Sequence, residues 1–438
     1  MIINKFFDYV NEKGPFIIQT PWVGAIGNCA EEIYYGLLKA RREGKKVVFL
    51  FPFNLFWKFK FSKTFINREL LKVKSDYRYD QFLMHLGNIF LTGIYTCIRI
   101  PVIFLRRFFR KAIPETYFIP DIGQSSLWKP ANINYFSWKI AQSFEWEKQI
   151  AEYLPVKMPE NSHSKARKIR IEMGIPENEW FVCLHVREGG FHGDIHGVSA
   201  CRNASISNYI DGVKLITDKG GWVVRMGDST MEPLPHMKQV IDYPHTPFKS
   251  NLMDIYLLSE CSFYIGSASG IWDVAALFQK PMVAVNMIVW TQIFPIRKGD
   301  LGIIKHIYSR SRKRFLSLKE ILKEPFECQY FLSVGNDYIY YENTPEEIYD
   351  LINEFLEKSE DYQYSPLQLE FNRRRFIQGQ KILLNQVICN NHSDDVHNKY
   401  RIASNVIGCN GTIGRKFLEQ NWEQSIMNKR GEYMLIRQ

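Results

Sequence analysis

His185 and Arg187 stand at the end of an apolar run, F-V-C-L-H-V-R-E-G-G over Phe181–Gly190, and two glycines, Gly189 and Gly190, follow them. Arginine offers a planar fork of donors that matches phosphate oxygens, and glycines let backbone N–H groups approach the same anion. An apolar run of this length predicts a buried strand, and ligands of open α/β sheets sit beyond the carboxyl ends of such strands. The chemistry predicted is therefore anion binding, with His185 and Arg187 as a basic pair. The same residues have a plainer reading, with His185 a core histidine whose hydrogen bonds are met and Arg187 a surface ion-pair partner.

Two further sites repeat the pattern. The apolar run Trp222–Met226 contains Arg225 and runs into Gly227 and Asp228. Arg225 would add a second cation, and Asp228 would accept a ribose or sugar hydroxyl or simply form a turn. Ser267, Ala268, Ser269 and Gly270 then follow the strand Ser262–Gly266 and open the helix Ile271–Phe278. Small residues at a helix start leave its first N–H groups pointing outward, which favours an anion, so a diphosphate is expected near Ser267, Ser269 and Gly270. Serine is also a favoured N-cap, and these serines would then only cap the helix.

The elements that position these residues alternate. A helix over Ser205–Thr217 carries Ile206, Tyr209, Ile210, Val213 and Ile216 at helical spacing, and the helix Asn251–Ser259 and the strand Met282–Asn286 continue the series. Strands alternating with helices of this length imply right-handed βαβ units and a parallel sheet. The first half has its own βαβ signal: strand Phe16–Gln19, the turn Gly24–Gly27, a helix Asn28–Arg42 with Ile33, Leu37 and Ala40 on one face, and strand Val47–Phe51. Pro155, Pro159 and the polar run Asn161–Ser164 mark a boundary between the two halves. Thr344, Pro345 and Glu347 form a capping-box pattern that starts a helix through Phe355, and helical stretches follow from Ser365 with the basic run Arg373, Arg374 and Arg375, read as a solvated face.

The second half carries an ordered set of motifs: H-V-R-E-G-G, the pair Arg202 and Asn203 followed by Tyr209, R-M-G-D at Arg225–Asp228, I-D-Y at Ile241–Tyr243, M-D-I-Y at Met253–Tyr256, I-G-S-A-S-G and Asn286. Together they resemble a family of bacterial glycosyltransferases, more distantly similar to the α1,6- and O-fucosyltransferases. The likeness covers Phe181 to Trp290 well and the flanks loosely.

The resemblance implies an α/β fold of GT-B type, two Rossmann-like domains with parallel sheets facing across a cleft, plus a C-terminal helical extension. The division expected is 1–155 for the acceptor side, 160–360 for the nucleotide-sugar donor and 361–438 for the extension. It implies a nucleotide-sugar as donor substrate, with no separate cofactor, and a glycan or lipid-linked acceptor of the kind met in surface polysaccharide assembly. Arg187 would bind the donor diphosphate, with His185, Gly189, Gly190, Arg202 and Asn203 beside it. Glu188, Gly189 and Gly190 depart from the fucosyltransferases, which place other polar residues there.

No Asp is followed at D-x-D spacing by a second Asp, so no metal is expected to hold the diphosphate. Its charge would be met by Arg187, Arg225 and helix N–H groups, which is electrostatic stabilisation. An inverting transfer needs a general base near the acceptor hydroxyl. Glu188 and Asp194 are the nearest acids, His192 and His196 share the loop, and Glu31 and Glu32 are rivals from the first half, although acids in a first helical turn are also what the dipole favours. Paired domains of this kind also serve an epimerase or a pyruvyl transferase, and a scaffold protein that keeps the fold without chemistry is the third possibility.

The net charge of +10, from 56 Lys and Arg against 46 Asp and Glu, favours anionic partners. Nucleic acid is not among those expected, because zinc spacing, RNP-like aromatic runs and a concentrated basic stripe are all missing from the sequence. The segment Phe82–Leu105, followed by Arg106, Arg107, Arg110 and Lys111, reads either as an interfacial helix on an anionic leaflet or as a buried helix pair. Eight cysteines without a C-x-x-C pair, and a start at Met1–Val10 that lacks a basic head and long apolar core, predict a reducing compartment, the cytoplasm or the inner face of its membrane.

Overall fold

The computed structural model describes residues 12–19, 21, 26–49, 67–79, 86, 154, 156–192, 200–267, 269–288, 297–323, 337–359, 361–388 and 411–428. The chain divides into two units, one of residues 1–136, 154–164 and 273–279, the other of residues 137–153, 165–272 and 280–438.

In the first unit, β1 (Phe16–Gln19) pairs in parallel with β2 (Lys46–Phe49), Phe16 opposite Lys46 and Gln19 opposite Phe49. Parallel neighbours require a crossover, here α1 (Ile26–Arg42). Ile33, Leu37 and Ala40 recur at helical spacing and all three are fully buried, as expected for one apolar face. Gly44 ends the helix at φ 63°, a left-handed conformation that a Cβ resists, and the Lys45 N–H donates to the Ala40 carbonyl at 2.8 Å. The sequence signal for a βαβ unit is thus matched, while Gly24 and Ala25 of its turn lie outside the described residues.

The chain enters the second unit along α2 (Glu160–Glu172) and lays down β3 (Phe181–His185), α3 (Ile210–Asp218), β4 (Trp222–Arg225), β5 (Val240–Asp242), α4 (Asn251–Glu260), β6 (Tyr264–Gly266), α5 (Gly270–Leu277), β7 (Met282–Met287) and β8 (Leu301–Ile304). With β12 (Thr412–Ile413) these strands form one seven-stranded sheet, parallel at every pairing, in the order β12-β8-β7-β6-β3-β4-β5. All five residues of β3 are buried, as its continuous apolar pattern requires of a central strand.

From β3 the chain builds outward through β4 to β5, then returns to place β6, β7 and β8 on the other side. This is the strand order of doubly wound nucleotide-binding sheets, and its reversal falls between β3 and β6. The fold is α/β, as the alternation of strands and helices predicts. In the register His185 faces Gly266, and a Cβ on Gly266 would lie 2.4 Å from the His185 carbonyl oxygen, so only glycine permits this approach.

At Lys305 the chain leaves the parallel sheet for an antiparallel one of order β10-β9-β11, built from β9 (His306–Ser309), β10 (Arg314–Phe315) and β11 (Tyr338–Tyr341). The helices α6 (Leu318–Ile321) and α7 (Pro345–Glu357) both start with complete capping boxes, Ser317 with Glu320 and Thr344 with Glu347. Glu347 also faces His306 Nε2 at 2.9 Å and 3.0 Å, both residues 3 % exposed, which ties β9 to α7.

The C-terminal part is helical as expected, in α8 (Pro366–Ile388) and α9 (Arg415–Asn421), and it also supplies β12, with Thr412 opposite Leu301. It is therefore part of the main sheet, a contribution too short to leave a strand pattern in the sequence. The basic run on α8 differs from the expected solvated face: Arg373 and Arg374 pair with Glu370, but Arg375 is buried, one guanidinium N–H donating to the Gly411 carbonyl. Of the segment Phe82–Leu105 only Leu86 is described, and it is exposed; among the described residues no helix is long and apolar enough to cross a membrane.

Candidate functional site

Two strand ends, those of β3 and β6, meet where the sheet order reverses. Beyond β3, the Arg187 N–H donates to Ser267 Oγ at 3.2 Å, and the Ser267 N–H returns to the His185 carbonyl at 3.3 Å. The two strand exits are thus stitched together by one serine, which is fully buried and whose hydroxyl is engaged by the protein. Ser269, 9 % exposed at the start of α5, differs: among the described residues its Oγ has no hydrogen-bond partner. With the first amides of α5, that hydroxyl leaves unsatisfied polar groups where a buried donor without a partner costs about 1–3 kcal/mol. Gly270, the first residue of α5, is half-buried, and Ala268 lies outside the described residues.

Arg187 is 7 % exposed, and its Nη1 donates to Asn203 Oδ1. The Ala204 N–H donates to the Arg187 carbonyl at 3.0 Å, so the segment that carries Arg202 and Asn203 lies along the β3 exit. Arg202 closes a short 3-10 turn, Ala200–Arg202, and is half-buried. Sequence reasoning missed Lys305, which approaches this segment from the end of β8 and donates to the Asn203 carbonyl at 2.6 Å. Its signal is visible afterwards: a lone lysine inside L-G-I-I-K-H-I-Y-S, a run otherwise suited to the core.

His185 corrects the expectation of a basic pair. Burial, above all, pushes its pKa down to about 4, the positive charges of Arg225 and Arg187 acting in the same direction. The ring is neutral at physiological pH and its Nδ1 lies 3.0 Å from the Met226 carbonyl, so the proton sits on Nδ1 and is donated there. His185 therefore joins β3 to β4 and contributes no positive charge to a ligand.

Arg225 and Glu188 also turn inward. The Arg225 side chain is fully buried; Nη2 donates to Glu188 Oε1 at 2.6 Å, while Nη1 donates to Asp242 Oδ1 at 3.1 Å and to the Glu232 carbonyl at 2.5 Å. Glu188 Oε2 accepts from the Glu232 N–H at 2.8 Å, and Asp242 Oδ2 from the Leu234 N–H at 2.9 Å. The expected roles of Glu188 as base and Arg225 as phosphate ligand meet a physical obstacle, since each compensates the other's charge and both hold the 232–234 loop.

Gly227 has φ 151°, and a Cβ there would stand 2.2 Å from Met231 Sδ, so this turn demands glycine. Asp228 Oδ1 accepts from the N–H of Thr230 at 2.9 Å and from its hydroxyl at 2.5 Å, which makes it the turn-former among its two readings. Gly190 packs against Thr230, with an added Cβ only 2.4 Å from Oγ1, and Gly189 is buried at the start of the 3-10 turn Gly189–His192. Asp194 and His196 lie outside the described residues, as does the His192 side chain. Among the described residues no cluster of three His, Cys, Asp or Glu side chains is placed to hold a metal ion.

A surface groove of about 700 Å³ lies elsewhere, between α3 and the start of α7, lined by Asp211, Lys214, Asp218, Glu346 and Tyr349. Its acidic wall opposes an anionic ligand.

No protein-family model and no curated protein matches this chain. Solved structures with a partial likeness include a glycosyl transferase of family 9 from Veillonella parvula DSM 2008, 10% identical, covering 78% of this chain and 97% of that one at a TM-score of 0.40. The ADP-heptose LPS heptosyltransferase II of E. coli is 12% identical, covering 77% and 98% at a TM-score of 0.36. The UDP-GlcNAc 2-epimerase of Methanocaldococcus jannaschii is 12% identical, covering 65% and 64% at a TM-score of 0.21. At these scores the functional reading is left to the strand order and the site itself.

Proposed function

We propose that this chain is a glycosyltransferase that moves a sugar from a nucleotide-sugar donor to a glycan or lipid-linked acceptor, with the donor diphosphate held at the reversal between β3 and β6. The observation that carries this reading is the tie between the two strand exits at that reversal, the Arg187 N–H on Ser267 Oγ, beside the amino end of α5 and the unpartnered Ser269 hydroxyl. The ordered motifs that surround these residues support sugar transfer as the chemistry. In this reading Arg187 and the α5 amides neutralise the charge that grows on the departing diphosphate. Asn203 orients the guanidinium, Gly189, Gly190 and Gly227 shape the loops around it, and His185 holds β3 to β4. The engagement of Glu188 by Arg225 leaves Asp194 as the acid of the β3 loop for the role of general base. The first unit is the acceptor-side domain of a GT-B enzyme in this proposal, and the excess of positive charge suits work at an anionic membrane surface.

Calorimetric titration of UDP, GDP, ADP and TDP into the wild-type protein and Arg187→Ala tests the reading. At least one nucleotide should bind the wild type, and the substitution should weaken that affinity about tenfold or more, the scale of a charge-assisted hydrogen bond. Equal affinities in the two proteins would remove the basis of the proposal. Incubation with the matching nucleotide-sugar and no acceptor should leave the sugar's configuration intact, whereas conversion of the donor alone would replace transfer by epimerisation.

A further inference from the structure

Lys305 is 4 % exposed, yet it is a cation without a counter-charge. One of its three N–H groups is donated to the Asn203 carbonyl, and among the described residues no carboxylate lies within ion-pairing distance of Nζ. Glu342 attracts it from further away, but Glu342 Oε2 is engaged by the Ser205 N–H at 2.8 Å and by Asn208 Nδ2 at 3.0 Å. Burial pushes the Lys305 pKa below its ordinary value, which expresses the same cost. An ammonium removed from water without an ion-pair partner is destabilising by several kcal/mol, so its retention at a strand end calls for an anion that completes it.

The position identifies that anion. Asn203 receives two cations of the region, Arg187 on its side-chain oxygen and Lys305 on its backbone oxygen. The two positive groups, from the segments that leave β3 and β8, are thereby brought to the same residue. A single phosphate is served by Arg187 and the α5 amides; a second cation at this spacing suits a ligand with two adjacent anionic groups. We propose that Lys305 is a second ligand-binding cation of the site and that it selects a diphosphate over a monophosphate. This rests on the donor-site reading above and adds to it a residue and a selectivity.

The test uses inorganic pyrophosphate and inorganic phosphate, titrated calorimetrically into the full chain as wild type, Lys305→Met, Lys305→Arg and Arg187→Ala, with a thermal melt of each protein. Lys305→Met should lose pyrophosphate affinity about tenfold or more and phosphate affinity by much less, Lys305→Arg should restore most of the loss, and the ligand-free melting temperature of Lys305→Met should stay level or rise because a buried charge is removed. Pyrophosphate affinity within twofold of wild type in Lys305→Met, together with a loss in Arg187→Ala, overturns the role of Lys305 and leaves the donor site standing. A lower melting temperature alongside equal losses for both anions makes Lys305 a clamp on the 203–204 segment and also overturns it. No binding of pyrophosphate or of any nucleoside diphosphate by the wild type removes the donor site itself.

Discussion

Arg187 and Arg225 occupy equivalent places in sequence, each near the end of an apolar strand and followed by glycine, yet the fold treats them differently. Arg225 is enclosed between Glu188 and Asp242 on the β4 side of β3, where its charge is balanced within the protein. The guanidinium of Arg187 meets the neutral side-chain oxygen of Asn203, its backbone N–H is tied to Ser267 beyond β6, and the helix start that follows carries an unpartnered hydroxyl. The difference in these partners, two carboxylates for Arg225 and the Asn203 amide oxygen for Arg187, fits the proposal that Arg187 serves an anion while Arg225 holds the sheet together. The charge of Arg225 is met by protein carboxylates, whereas the Ser269 hydroxyl at the β3–β6 reversal has no hydrogen-bond partner among the described residues.

Arg225→Met should lower the unfolding free energy by about 3–5 kcal/mol in urea titration, because Glu188 and Asp242 are left without their counter-charge. A loss below about 1 kcal/mol would mean that the pair is a minor contributor and that the two arginines are alike.

The neutral state of His185 sets the next effect. Its folded pKa of about 4 lies below the ordinary 6.5, so the unfolded chain binds a proton first and stability must fall as pH drops from about 6.5 toward 4. The shift corresponds to about 3 kcal/mol, and His185→Asn should flatten that part of the pH–stability curve. An unchanged slope in the variant would return His185 to the role of a charged ligand group.

For the functional half, Arg187→Ala should leave the melting temperature within a few degrees of wild type while weakening nucleotide binding about tenfold or more. A large loss of stability with intact binding would invert the contrast. The smallest effect serves as a control: Thr344→Ala removes the cap of α7 and should cost about 1 kcal/mol of stability with no change in nucleotide affinity.

Much of the framework is legible in the sequence because its signals are local. The strand Phe16–Gln19, the buried run Phe181–His185, the helices that follow β3, β5 and β6, and the Thr344 capping box all derive from periodicity and capping over a few residues. The strands β5, β10 and β12, of 2–3 residues, left no such pattern, since so short a stretch gains its definition from the neighbours it pairs with. The candidate site divides in the same way. Arg187, Ser269 and the glycines that their turns require are readable from type and spacing. The inward pairing of Arg225 with Glu188, the neutral ring of His185 and the approach of Lys305 to Asn203 join residues 37, 41 and 102 positions apart, and no local pattern records them.

By itself, then, the sequence determined the α/β alternation, the identity of the cations and the glycine turns at the strand ends, because each depends on backbone preferences and burial patterns that act within a few residues. Only the tertiary structure decided that Arg225 is neutralised by Glu188 and Asp242 and that Lys305 is buried against the Asn203 carbonyl. That outcome depends on distance and solvent exclusion between groups far apart in the chain, and both arise when the sheet reverses direction between β3 and β6.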